Sequence, residues 1–181
     1  MEYHGTRSHT YLCPSSVPQG SVLGPSLFLI FVNDVTFEVE KSKLLLYADD
    51  IKIFKKITSF SDYTELQADL NSIVCWSDRN LLPFNKSKCQ SITFSRIKEP
   101  LLHPYTIGDY RLPSIQEVRD LGVLLDSKLS FSSHMDLITS KCKRIPGFIK
   151  RNSVNYKKYE TKKLLFFTLV RSILEFSAII C

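Results

Sequence analysis

Two aspartates, Asp49 and Asp50, stand side by side between the short apolar runs Leu44 to Tyr47 and Ile51 to Phe54. Runs this short, separated by residues that accept a turn, predict the two strands of a hairpin with the acidic pair at its tip. Adjacent carboxylates repel, and bringing them together is unfavourable unless a counter-charge such as a divalent cation is supplied. Magnesium takes oxygen ligands, typically one or two protein carboxylates together with water or substrate phosphates, so the chemistry open to this tip is phosphoryl transfer. Taken alone, Tyr47-Ala-Asp-Asp50 reads as an ordinary solvated turn, and the rest of the chain has to overturn that reading.

The deciding context lies upstream, in Ser15-Ser-Val-Pro-Gln-Gly-Ser-Val-Leu-Gly-Pro-Ser-Leu-Phe28. Gly20 lets a backbone pass close to a flat partner, and Gln19 offers an amide that both donates and accepts. Taken with Tyr47-Ala-Asp-Asp50, this stretch resembles the palm motifs of reverse transcriptases, most closely the LINE-like, jockey-type non-LTR retrotransposon enzymes. The resemblance implies that Asp49 and Asp50 bind Mg²⁺, that Gln19 and Gly20 line the nascent base pair, and that Tyr47 lies beside the nucleotide sugar. Asn80-Leu-Leu-Pro-Phe-Asn-Lys-Ser-Lys-Cys-Gln-Ser-Ile-Thr-Phe94 looks like the next palm motif, in which Lys88 would protonate the leaving pyrophosphate. An ammonium suits that task, although a lysine in a polar loop is ordinarily only a surface group.

Farther on, Asp120-Leu-Gly-Val-Leu-Leu-Asp126 looks like the family's primer grip, carried by Leu121, Gly122 and Val123, and Leu129-Ser-Phe-Ser-Ser-His134 follows it as in relatives. No chemistry is assigned to His134. Lys141, Lys143, Arg144, Lys150, Arg151, Lys157, Lys158, Lys162 and Lys163 are opposed only by Glu160, a balance that suits contact with a phosphate backbone. By resemblance this is the thumb, with Lys157, Lys158, Lys162 and Lys163 as backbone contacts; a lysine-rich face is otherwise a solvated face. The implied partners are an RNA template, a DNA primer and deoxynucleotides. Leu164, Phe167, Leu169 and Phe176 are read as helix core in preference to base-stacking platforms.

The elements that must hold these residues follow from periodicity. Residues 1–19 read as extended and turn-rich, and Pro25 opens a helix whose apolar residues Leu27 to Val32 surround its axis, which predicts burial. A capping signal at Asp62 and Glu65 begins an amphipathic helix that runs to Arg79, with Asn80 as a left-handed stop. Strands are predicted at Gln90 to Phe94, Tyr105 to Ile107, Tyr110 to Leu112 and Val118 to Leu125, with a turn at Gly108-Asp109. Helices return from Ser132 to about Phe148, interrupted at Pro146, and from about Tyr156 to Phe176. The fold class is α+β: residues 1–130 as a partial polymerase palm, an antiparallel sheet with packed helices, followed by a mainly helical, truncated thumb over 131–181.

Composition agrees with such a chain. With 181 residues, 44% hydrophobic and 12% aromatic, it can bury a core as one or two units, and its net charge of +6 favours a polyanionic partner. Cys13, Cys75, Cys89, Cys142 and Cys181 have no zinc-like spacing. The reading is a reduced intracellular protein, nuclear or cytoplasmic, with no signal peptide and no membrane-spanning segment. Reverse transcriptases also use a third carboxylate on a strand before the Pro-Gln-Gly motif, and fingers that hold template and nucleotide. Glu2 and Asp34 are no substitutes for that carboxylate, and Ser16, Pro146 and Ser172 depart from the family pattern. The expectation is a catalytically incomplete fragment that is inactive alone and prone to self-association through an exposed palm sheet. The rival readings are a non-catalytic nucleic-acid-binding module and an inactive retrotransposon relic.

Overall fold

A computed structural model describes residues 2–7, 9, 20–98, 100–155 and 158–178. Its elements in chain order are β1 (Glu2–Tyr3), β2 (Thr6–Arg7), α1 (Gly24–Val32), β3 (Lys43–Tyr47), β4 (Asp50–Phe54), α2 (Phe60–Arg79), β5 (Ser91–Ile92), β6 (Thr106–Ile107), β7 (Tyr110–Arg111), β8 (Ser114–Ile115), β9 (Glu117–Asp120), β10 (Val123–Asp126), α3 (Ser132–Asn152), α4 (Tyr159–Phe166) and α5 (Ser172–Ala178). The chain divides into two compact units, residues 1–86 with 106–110, and residues 87–105 with 111–181. The α+β class holds. The expected sheet is present only as two-stranded pieces among the described residues, and the β5–β8 piece is parallel.

The first unit is organised by α2. Its start is a capping box: the Ser59 hydroxyl accepts the Asp62 N–H while the Asp62 carboxylate accepts the Ser59 N–H. The cap therefore sits one turn earlier than the Asp62 and Glu65 signal implied. Hydrogen bonds from the backbone and hydroxyl groups of Thr58 and Ser59 hold the Asp62 carboxyl far below its ordinary value. The helix ends at Asn80, which is not left-handed; the positive φ of 52° falls one residue later, on Leu81.

One face of α2 places Ile73 and Trp76 against Val32 and Val35, with Phe28, Leu44, Leu46, Ile51 and Ile53 packed around them. The Trp76 indole N–H donates to the Asp34 carboxylate at 3.0 Å. That contact gives Asp34 a structural task. On the other side of the helix the Gln67 side-chain amide pairs with both the N–H and the C=O of Thr106, each at 3.0 Å, which ties the returning segment 106–110 to α2.

Helix α1 departs from its predicted burial. Only Gly24 and Val32 are buried, whereas Leu27, Leu29, Ile30 and Phe31 are exposed, Ile30 by 73%. A nine-residue helix meets the core along one narrow line, and the described part of this unit offers no second layer against its remaining apolar surface.

The second unit has its own core, in which Ile138, Cys142 and Ile149 of α3 meet Val170, with Ile145, Leu165 and Ile173 packed alongside. Helix α3 passes through Pro146 without ending there, contrary to the predicted interruption. A proline in that position has no N–H for the Cys142 carbonyl. Pro146→Ala should therefore raise the stability of this unit by about 2–3 kcal/mol in urea unfolding; a gain below about 0.5 kcal/mol would show that the helix already bends to suit its proline. Between α4 and α5 the chain continues without a break as a π-helical turn over Phe167–Arg171.

Candidate active site and nucleic-acid-binding residues

In the first unit β3 and β4 pair antiparallel in a register that sets Tyr47 opposite Asp50 and Leu46 opposite Ile51, leaving Ala48 and Asp49 as a two-residue turn. Because directly opposed residues share a face, Leu44, Leu46, Ile51 and Ile53 cover the core while Tyr47 and Asp50 stand together on the open side. Ala48 has φ of 52°, the left-handed value that the first position of a tight hairpin turn demands. Tyr47, Asp49 and Asp50 are all exposed, and neither carboxylate has an ion-pair partner among the described residues. The tip thus offers two uncommitted carboxylates and a phenol. No group of three or more His, Cys, Asp or Glu able to hold a metal ion occurs among the described residues.

Gly20 is exposed with φ of 82°, and a side chain there would meet nothing within 4 Å, so the glycine serves backbone conformation and not close packing. Gln19 lies outside the described residues. Lys88 is exposed in a short 3₁₀ turn over Lys86–Lys88 and belongs to the second unit, apart from the acidic tip's own unit.

In that second unit the predicted strand from Val118 to Leu125 is two strands. β9 and β10 pair as Asp120↔Val123, Leu124↔Arg119, Leu125↔Val118 and Asp126↔Glu117, with Leu121 and Gly122 as the turn. Both turn residues have positive φ, 44° and 93°, the pattern of the tightest hairpins. Leu121 is held there despite its side chain and remains half exposed. The following loop is fastened by Asp126, whose carboxylate accepts the N–H groups of Lys128, Ser130 and Phe131 at 2.9 Å each. Burial pushes this carboxyl up, and the N–H groups outweigh it, so its pKa lies below the ordinary value.

Sequence reasoning gave His134 no role, and its role here is structural. It is 1% exposed, and its Nδ1 accepts the Leu124 N–H at 3.3 Å, which places the ring proton on Nε2 and docks β10 onto α3.

Lys158, Lys162 and Lys163 are exposed at the start of and along α4, and Lys157 lies outside the described residues. Lys163 and Arg171 both lie over the Phe167 ring, 5.8 and 5.2 Å from its centroid. Phe167, Leu164, Leu169 and Phe176, read as core from the sequence, are 40–62% exposed here, because the core of this unit takes Leu165, Val170 and Ile173 instead.

The residue the sequence reading passed over is Asp69. It is 4% exposed and accepts N–H bonds from Glu40, Lys41 and Ser42 at 3.2, 3.1 and 2.7 Å. Burial pushes its carboxyl up, and these donors more than reverse the effect, leaving the pKa below the ordinary value. A signal was present: Asp69 falls within the stripe formed by Leu66, Leu70, Ile73 and Trp76, and an acid on a buried stripe requires partners.

Residues 2–156 match the family of reverse transcriptases (RNA-dependent DNA polymerases), and the chain belongs to that family. It is similar to the RNA-directed DNA polymerase from mobile element jockey of Drosophila funebris, 35% identical over 139 residues, which are 72% of this chain and 15% of that protein. The jockey polymerase of Drosophila melanogaster is 31% identical over 139 residues, again 72% of this chain and 15% of the relative. The probable RNA-directed DNA polymerase from transposon BS of the same fly is 29% identical over 137 residues, 71% of this chain and 15% of that protein. The chain spans about 15% of the length of these curated relatives. No solved structure matches it. Among the described residues no helix is long and apolar enough to cross a membrane.

Proposed function

We propose that this chain is the centre of the palm, residues 1–130, and part of the thumb, residues 131–181, of a non-LTR retrotransposon reverse transcriptase. Asp49 and Asp50 are its metal ligands, Gln19, Gly20 and Tyr47 face the template and nucleotide, and Lys88 is the proton donor to pyrophosphate. Leu121, Gly122 and Val123 grip the primer end. The observation that carries this reading is the β3–β4 tip, where two exposed carboxylates without ion-pair partners follow a left-handed turn residue. An all-oxygen donor set of two carboxylates fits Mg²⁺, whose remaining coordination sites go to water or phosphate. Bound there, the ion would neutralise charge on the transferring phosphoryl group. The residues themselves orient: Tyr47 and Asp50 stand opposed on one face, and the turn sets Asp49 beside them.

Two carboxylates hold one ion weakly, so the isolated chain is proposed not to extend a primer. Mn²⁺ added to the isotope-labelled chain should broaden the amide signals of Tyr47 to Ile51, and Asp49→Asn should abolish most of that broadening. Uniform broadening, or none, would remove the metal-site reading. Mg²⁺-dependent extension of a primed RNA by the purified chain, lost in Asp49→Asn, would confirm the site while showing the chain to be complete enough for catalysis.

A second reading, a nucleic-acid-binding module without chemistry, is favoured by the exposed lysines of α4. Template RNA and primer DNA are the partners under either reading. Self-association is also proposed, because among the described residues β3 and β4 have no further strand beside them and α1 keeps apolar residues in solvent. Work on chromosomal DNA would require access to the nucleus.

A further inference from the structure

Among the described residues the β3–β4 hairpin pairs with no other strand, so no hydrogen bonding within a larger sheet is seen there to fix its direction. Each strand has five residues, which puts the tip about 16 Å from the foot. Over that lever a tilt of roughly 10° at the foot moves the tip by about 3 Å, whereas a functional constellation tolerates about 0.5 Å. Packing of Leu44, Leu46, Ile51 and Ile53 restrains the hairpin from one face, and ties at the foot are needed to complete the hold on its angle.

Two polar ties meet there, both on α2. Asp69 receives the N–H groups of Glu40, Lys41 and Ser42, the three residues immediately before β3. Lys55, the residue immediately after β4, donates to the Lys41 carbonyl at 2.9 Å and to the Glu65 carboxylate at 2.6 Å, with its side chain 15% exposed. Glu65 and Asp69 are one helical turn apart, so both feet of the hairpin are fastened to one short stretch of α2. Only a carboxylate serves at position 69: it has two accepting oxygens for three donors, whereas an amide would turn its own N–H groups toward them.

We propose that Asp69 is a positioning residue for the metal-binding tip: by capturing the three N–H groups that precede β3, it fixes the angle at which the hairpin presents Asp49 and Asp50. The inference rests on the reading of those two aspartates as metal ligands.

Hydrogen exchange and Mn²⁺ broadening of the labelled chain test it together. In the unchanged protein the Lys41 and Ser42 amides should exchange slowly although they lie outside any helix or strand. In Asp69→Asn they and the amides of β3 and β4 should exchange about tenfold faster or more, as expected for loss of charge-assisted hydrogen bonds. The amides of α2 from Leu70 to Trp76 should keep their rates, and Mn²⁺ affinity at the tip should fall by about threefold or more. Unchanged hairpin exchange and Mn²⁺ affinity would overturn the proposal, as would equal acceleration throughout α2, which marks a general stabiliser. If Asp69→Asn does not fold, Lys41→Pro decides, since it removes one of the three captured N–H groups and leaves the buried carboxylate partnered by the other two; rigid β3 and β4 amides in that variant would overturn the proposal. Absence of Mn²⁺ broadening in the unchanged protein would defeat the metal reading of Asp49 and Asp50, and the exchange rates would then decide whether Asp69 holds the hairpin.

Discussion

Trp76→Ala should unfold the first unit near room temperature or lower its midpoint by about 12 °C or more. Trp76 is 2% exposed and sits in the cluster that joins α1, α2 and the hairpin. Truncating a buried tryptophan removes about 3–5 kcal/mol, and a unit of this size shifts its midpoint by roughly 4–8 °C per kcal/mol. Since domains hold only about 5–15 kcal/mol in total, the loss is a large share of the whole. Trp76→Phe keeps most of the packing and gives up the bond to Asp34, which should cost about 1 kcal/mol. The protein has one tryptophan, so the fluorescence of the unchanged chain reports this core directly, and circular dichroism follows the variants. A midpoint shift under about 5 °C for Trp76→Ala would show that the cluster does not hold the unit together.

The second large effect is electrostatic. Replacing Lys157, Lys158, Lys162 and Lys163 by glutamine together should weaken binding to a primed template by about a hundredfold at low salt. It should also flatten the slope of log affinity against log salt by about 3, close to 1 for each lysine that meets a phosphate. The loss should be the same whatever the template sequence, because phosphate contacts carry no base information. Asp49→Ala, by contrast, should leave this binding largely intact. Titrations over a salt series, read by fluorescence anisotropy, give both quantities. Equal affinity and equal slope before and after neutralisation would take α4 out of the nucleic-acid interface.

The elements that hold the proposed site are the most legible ones. Short apolar runs separated by turn-tolerant residues place β3 and β4 to within one residue of their ends, and helical spacing gives nearly the whole of α2, whose one face lies against the core. Turns made with atypical residues were not legible. Leucine at positive φ gives no turn signal, so β9 and β10 read as a single strand, and Leu81 took the left-handed position expected of Asn80. Burial of α1 was misjudged because an apolar periphery states what a helix could bury and not what is there to cover it. At the proposed site, Asp49 and Asp50 are legible as a pair because they are adjacent, whereas Asp69 is hidden by its distance in sequence from the backbone groups it captures, 27 residues in the case of Ser42. Pro146 was read as a break because local preference was weighed alone, while the core residues on either side of it, Cys142 and Ile149, keep α3 in one piece.

Ala48 and Leu121 occupy equivalent places, each the first residue of a two-residue turn and each with a left-handed backbone. Such a backbone excludes branched β-carbons far more strongly than it excludes alanine, leucine, asparagine or glycine. As copies of such a gene accumulate substitutions, the strands flanking each tip can trade one aliphatic residue for another. The bends themselves are closed to valine, isoleucine and threonine, so a copy that acquires one of these at either bend would lose the aim of its hairpin before it lost its core.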